Sequence, residues 1–133
     1  MPDSLDDLAA AILKAEGWRR SDLNGVVEFS VPQSAGRVQA VRLQGFVHEG
    51  ESLVRFVSTV GKKAELSETR YGKALEVNFR LPYGHLALDG DYLVLVETRP
   101  LKTTTPATSA QVIRYLAKQA DYYEKAIFGK DVF

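Results

Sequence analysis

The residues LALDGDYLVLVE, from Leu86 to Glu97, constrain this chain more than any other stretch. Asp89 and Gly90 supply positive φ at little cost. They are flanked by apolar residues rich in β-formers, the local signature of a strand, a tight turn and a second strand. Upstream, Tyr71, Ala74, Leu75, Asn78 and Phe79 share one helical face from Ser67 to Arg80, and Pro82 forbids continuation because it has no N–H to donate. A helix running into an antiparallel hairpin is the unit against which the rest must pack.

The remaining segments supply partners for that unit. Ser4 precedes Leu5, Leu8, Ala9, Ile12 and Leu13 at helical spacing, with Asp6 and Asp7 favourably placed against the helix dipole and Gly17 as terminator. Three strand-like segments follow: Val27 to Val31, Arg37 to Phe46, and Leu53 to Val60, separated by turns at Gln33 to Gly36 and His48 to Ser52. After the hairpin, LKTTTPATS reads as a polar loop. Thr108 or Ser109 then caps a last helix with Val112, Ile113, Leu116, Ala120, Tyr123 and Ile127 in one arc, and Gly129 ends it. The order α-β-β-β-α-β-β-α predicts one α+β domain over residues 1–133, a two-layer sandwich with a five-stranded antiparallel sheet.

Composition narrows the function classes. Seventeen Lys and Arg balance seventeen Asp and Glu, and the basic residues are scattered, which argues against nucleic acid as partner. Cysteine is absent, so no disulfide, thiolate metal site or cysteine nucleophile is available. The first residues carry acids and helically spaced apolar groups instead of a secretory signal, and no run reaches membrane-spanning length, so a cytoplasmic chain is expected.

Catalytic groups are sparse. His48, Glu49 and Glu51 bracket Gly50 in a turn without a second histidine, and solvated turn residues are the default reading. Asp121, Glu124 and Asp131 lie near the C-terminus, with Asp121 turned away from the apolar stripe and toward solvent. No serine sits in a nucleophile elbow and no glycine run cradles phosphate. No catalytic, cofactor-binding or metal-binding residue is therefore assigned. Asn78 stands apart as a polar residue on an apolar helix face. It can contact a ligand, but its default role is to satisfy backbone groups where the helix hands over to the strand.

Leu75 and Asn78 at the helix end, Gly84, the Leu86-Ala87-Leu88-Asp89-Gly90 turn into Leu93 and Leu95, Ala120-Asp121 with Glu124 and Gly129, and Trp18 together carry a family likeness. In this pattern the chain resembles the YbjN-like, or Tir-chaperone-like, group of small bacterial proteins with the type III secretion chaperone fold. The resemblance implies a non-enzymatic, often dimeric module that binds a protein client without a cofactor, and it carries over no binding residue. Secretion chaperones of this fold are strongly acidic and this chain is balanced, which puts the YbjN-like reading in front. A second reading is a small-molecule binder or enzyme using a cleft near His85 and Tyr83.

Self-association is expected on two grounds. Val77 and Leu81 fall off the Tyr71, Leu75, Asn78 and Phe79 face, so burying one side of the helix leaves apolar residues on another, and the sheet has at least one unpaired edge. Tyr71, Ala74, Val77 and Leu81 are the expected homodimer contacts.

Overall fold

The computed structural model describes residues 4–128. The elements are α1 (Leu5–Glu16), β1 (Arg19–Leu23), β2 (Val26–Pro32), β3 (Val38–His48), β4 (Glu51–Lys62), α2 (Glu68–Arg80), β5 (His85–Asp89), β6 (Tyr92–Pro100) and α3 (Pro106–Phe128). The strands form one antiparallel sheet in the order β1-β2-β3-β4-β6-β5. The fold is α+β, with three helices and six strands instead of the five expected.

The additional strand is β1, and its chemistry explains why apolar periodicity misses it. Its five residues RRSDL are exposed apart from the half-buried Arg20, as suits an edge strand with polar groups on both faces. It turns into β2 through Asn24 and Gly25, with φ of 52° and 78°, and Leu23 pairs with Val26. Two positive φ values in a two-residue hairpin loop are what Asn-Gly provides, so this dipeptide is the signal that marks the strand. The β3–β4 connection uses the same device at Glu49 and Gly50 (φ 49° and 81°), which leaves His48 and Glu51 paired at the strand ends. In the β5–β6 hairpin Asp89 pairs with Tyr92, so the turn residues are Gly90 and Asp91, one position later than expected.

Helix boundaries follow local chemistry. The Asp7 N–H donates to the Ser4 hydroxyl, and Gly17, at φ 69°, donates its N–H to the Leu13 carbonyl and ends α1. Ser67 caps α2 through the Arg70 N–H. The last helix begins before the expected Thr108 or Ser109: Thr105 accepts from the Thr108 N–H, and Pro106 takes the first helical position, where its missing N–H is no loss. Gly129 and Asp131 lie outside the described residues.

Helices α1 and α3 cover one face of the sheet. Phe29, Phe56, Leu43, Leu95, Leu8, Ile12, Ile113 and Leu116 are fully buried between the layers. The β4–β6 register shifts between Thr59 and Gly61, and a Cβ on Gly61 would lie 2.4 Å from the Phe128 ring. The bulge and the absent side chain together admit the end of α3 to the core. A buried polar pair beside the bulge is satisfied internally, since Gln39 Nε2 donates to Ser58 Oγ and to the Thr59 carbonyl.

The rotation of α2 differs from the sequence expectation. Ala74 is buried, Val77 and Leu81 pack against the core, and Tyr71 is half-buried, whereas Leu75 and Phe79 are 71% and 93% exposed. The apolar arc of α2 is wider than one packing contact can cover, and a tertiary bond selects its inner part. Asn78 Oδ1 accepts from the Leu86 N–H at 2.6 Å, and Asn78 Nδ2 donates to the Leu86 carbonyl at 3.1 Å. With Asn78 on β5 and Ala74, Val77 and Leu81 packed to one side of it, Leu75 and Phe79 lie on the other side and stay exposed.

Candidate protein-binding surfaces

Three surfaces stand out once the elements are assembled. The first is the outward side of α2, where Leu75 and Phe79 lie one turn apart on the same face. Isolated exposed apolar residues are ordinary, but a phenylalanine with almost no intramolecular contact beside an exposed leucine is a patch. Of the residues expected to mediate self-association, Ala74, Val77 and Leu81 are engaged within the protomer and Tyr71 sits at the margin.

The second surface is the sheet face opposite α1 and α3. Val57, Val94 and Val96 form a separate buried cluster there with Ala87 packed beside it, and Val94 is only 2% exposed. Around this floor stand Arg42, Gln44, Arg55, His85 and Thr98, enclosing a shallow cup of about 380 Å³ lined by strand residues alone. The register explains the grouping: Arg42 is opposite Val57, Val57 opposite Val96, and Val96 opposite His85.

The third is a pocket of about 460 Å³ on the helical side, where Tyr83, Tyr115, Glu97, Arg99, Gln111 and Val112 meet. The two tyrosine rings are perpendicular, with centroids 5.7 Å apart. Glu97 is fully engaged: one oxygen accepts from the Gly84 N–H at 2.8 Å, and the other takes Arg99 Nε at 2.9 Å and a terminal guanidinium nitrogen at 2.8 Å. Burial raises the Tyr115 hydroxyl above its ordinary range, which keeps it neutral and unsuited to act as a base at pH 7.

The cleft expected to unite His85 with Tyr83 does not form. Gly84, at φ 68°, lies between them, and the chain sends His85 to the open sheet face and Tyr83 to the helical side. A Cβ at position 84 would meet the Val96 carbonyl at 2.9 Å, so this crossing of the sheet edge requires glycine.

The acidic residues singled out earlier are placed differently as well. Asp121, expected toward solvent, is paired with Arg37 at 2.9 Å and its side chain is 15% exposed, because the β2–β3 connection brings Arg37 over α3. Glu124 is buried in the helical layer, and His48 and Glu49 remain exposed in their turn. Among the described residues no three of His, Cys, Asp and Glu gather as a metal-ligating group, and no helix is long and apolar enough to cross a membrane.

The architecture is that of the type III secretion chaperones. The chain is similar to the Yersinia pestis type III secretion chaperone SycH, solved in complex with a stable fragment of YscM2, with a TM-score of 0.60 and 17% identity over 88% of this chain and 97% of that one. It is similar also to a chain of the HopA1–SchA chaperone–effector complex, with a TM-score of 0.60 and 9% identity over 94% of this chain and 93% of that one. At these identities the likeness is one of fold. No protein-family profile matches the chain, and no curated protein matches it in sequence.

Proposed function

We propose that this protein is a non-enzymatic, chaperone-like binding module of the YbjN-like group. It acts in the cytoplasm as a homodimer that holds a segment of a client protein. The observation that carries the reading is the shared fold: both similar structures come from complexes of a chaperone with another protein, and the likeness spans nearly the whole chain.

The dimer contact belongs to the outer side of α2, with Leu75 and Phe79 at its centre and Tyr71 at its margin. This modifies the set Tyr71, Ala74, Val77 and Leu81, most of which the protomer uses for its own packing. Antiparallel pairing of two such helices about a two-fold axis puts each Phe79 against its symmetry mate's helix, and two-fold symmetry is the commonest arrangement of soluble oligomers.

Photo-crosslinking in the native cell, with a crosslinker at exposed positions and mass spectrometry of the adducts, tests the client-binding reading. A recurrent protein adduct at defined positions supports it. Crosslinks confined to abundant bystander proteins, insensitive to position, overturn it.

A further inference from the structure

The geometry points to the cup on the open sheet face as a docking site for an acidic, apolar segment of a partner protein, with Arg55 as its anchor. This deepens the protein-binding reading and rests on it.

Charge arrangement carries the argument. The chain as a whole is neutral, with equal acid and base, yet the cup sets Arg42, Arg55 and His85 against a single acidic lining residue, Asp89, which lies by Arg42 and makes no ion pair with Arg55. Across the strands it faces Gln44 and Thr98, and the residues two positions away along β4 are Leu53 and Val57. Among the described residues it makes no ion pair, and its guanidinium lies 4.2 Å above the centroid of the Phe46 ring. Stacking on an aromatic ring fixes a guanidinium plane while leaving its N–H fork free, the state in which arginine recognises a carboxylate bidentately with least loss of conformational freedom.

The neighbouring groups extend the same chemistry. Arg42 is diagonal to Arg55 in the β3–β4 ladder, which puts their Cβ atoms roughly 7 Å apart. It donates to the Thr59 hydroxyl at 3.2 Å and lies 3.9 Å from Asp89, and Glu28 is opposite it on β2. Arg42 is thus partly neutralised and Arg55 is not. His85 contributes a third donor at the β5 edge, and its imidazole forms no hydrogen bond or ion pair among the described residues.

Between these donors the floor is aliphatic. A partner that satisfies both parts carries carboxylates and aliphatic side chains in close alternation, as an Asp- or Glu-bearing stretch rich in Val or Leu does. A purely acidic chain leaves the valine floor uncovered, and a basic one meets Arg55 unpaired.

The test uses the full chain and fluorescein-labelled peptides of roughly a dozen residues built from Glu-Val-Ser, Lys-Val-Ser or Glu-Ser-Ser repeats, read by fluorescence anisotropy. The Glu-Val-Ser peptide is expected to bind best, and Arg55→Gln to weaken it roughly tenfold or more, the scale of a lost charge-assisted bond. Arg55→Lys, which keeps the charge and loses the fork, is expected between the two. Arg55→Gln must melt at the wild-type temperature, and Thr98→Glu, which sets a carboxylate opposite Arg55 on β6, serves as the second blocking variant.

Equal binding of the Lys-Val-Ser peptide, or a Glu-Val-Ser affinity unchanged in both Arg55→Gln and Thr98→Glu, overturns the assignment. So does a single-stranded RNA of matched charge that binds more tightly with the same Arg55 dependence. A client captured by crosslinking whose binding ignores Arg55 removes this site and leaves the protein-binding reading standing. Arg55-dependent peptide binding with no client in the cell supports the site and removes that reading.

Discussion

The Asn78 amide and the Leu86 peptide unit exchange two hydrogen bonds, so a side chain of α2 takes the place that a neighbouring strand would occupy beside β5. Because β5 is the edge of the sheet, its outward backbone groups would otherwise be open to another chain. Asn78 both ties α2 to β5 and blunts this edge. Self-association through an open β5 edge is thereby disfavoured, and the outer side of α2 becomes the better route.

Asn78→Ala is expected to destabilise the fold by about 1–3 kcal/mol, the cost of leaving partly buried backbone groups unsatisfied. Urea denaturation measures it. A loss below a few tenths of a kcal/mol would mean that water replaces the amide without penalty.

For the α2 patch, Phe79→Glu is expected to convert a dimer to a monomer in sedimentation velocity with little change in melting temperature. Val77→Glu is expected to unfold or destabilise the protomer instead, since Val77 packs on the core. A wild-type monomer mass at micromolar concentrations in the tens would remove the dimer altogether.

Gly61→Ala is expected to cost about 1–3 kcal/mol by driving a methyl group into the Phe128 ring. Combined with Phe128→Leu the loss should be smaller than the sum of the two single changes, a coupling that a double-mutant cycle reads directly.

Acid should break the Arg20–Asp22 pair within the edge strand β1. Arg20 reaches Asp22 and Asp6, each at 2.8 Å, and its hydrogen bond holds the Asp22 carboxyl below its ordinary range. A depressed carboxyl stabilises the fold above its unfolded-state value, and that contribution is lost as pH falls through the lower folded-state value. Fluorescence of Trp18, the chain's one tryptophan, should report this step beside β1. Asp22→Asn should remove it, and high salt should diminish it because the pair is exposed.

Local signals read well in this chain because their physics is local. Ser4 and Gly17 bound α1 through their own side-chain and backbone chemistry, and Pro82 stops α2. Edge strand β1 buries no apolar face, so periodicity cannot reveal it, and only Asn24-Gly25 betrays it. The rotation of α2 is not legible, because Ala74 and the larger Leu75 both lie on its apolar arc, and the contacts that bury the first and leave the second exposed come from other elements. The cup is illegible for the same reason: Arg42, Arg55, Val96 and His85 become neighbours only through the pairing of four strands.

Phe128 seated against Gly61 also bears on the order of events during synthesis. The ring that fills the β4 notch belongs to the last described turn of the final helix, so a nascent chain can pair β3 with β4 long before the notch is closed. Until α3 clears the ribosome, the apolar layer meant for it stays open to solvent and to chaperones. Closure by the last described turn of α3 therefore makes emergence of that helix a condition for a sealed interior.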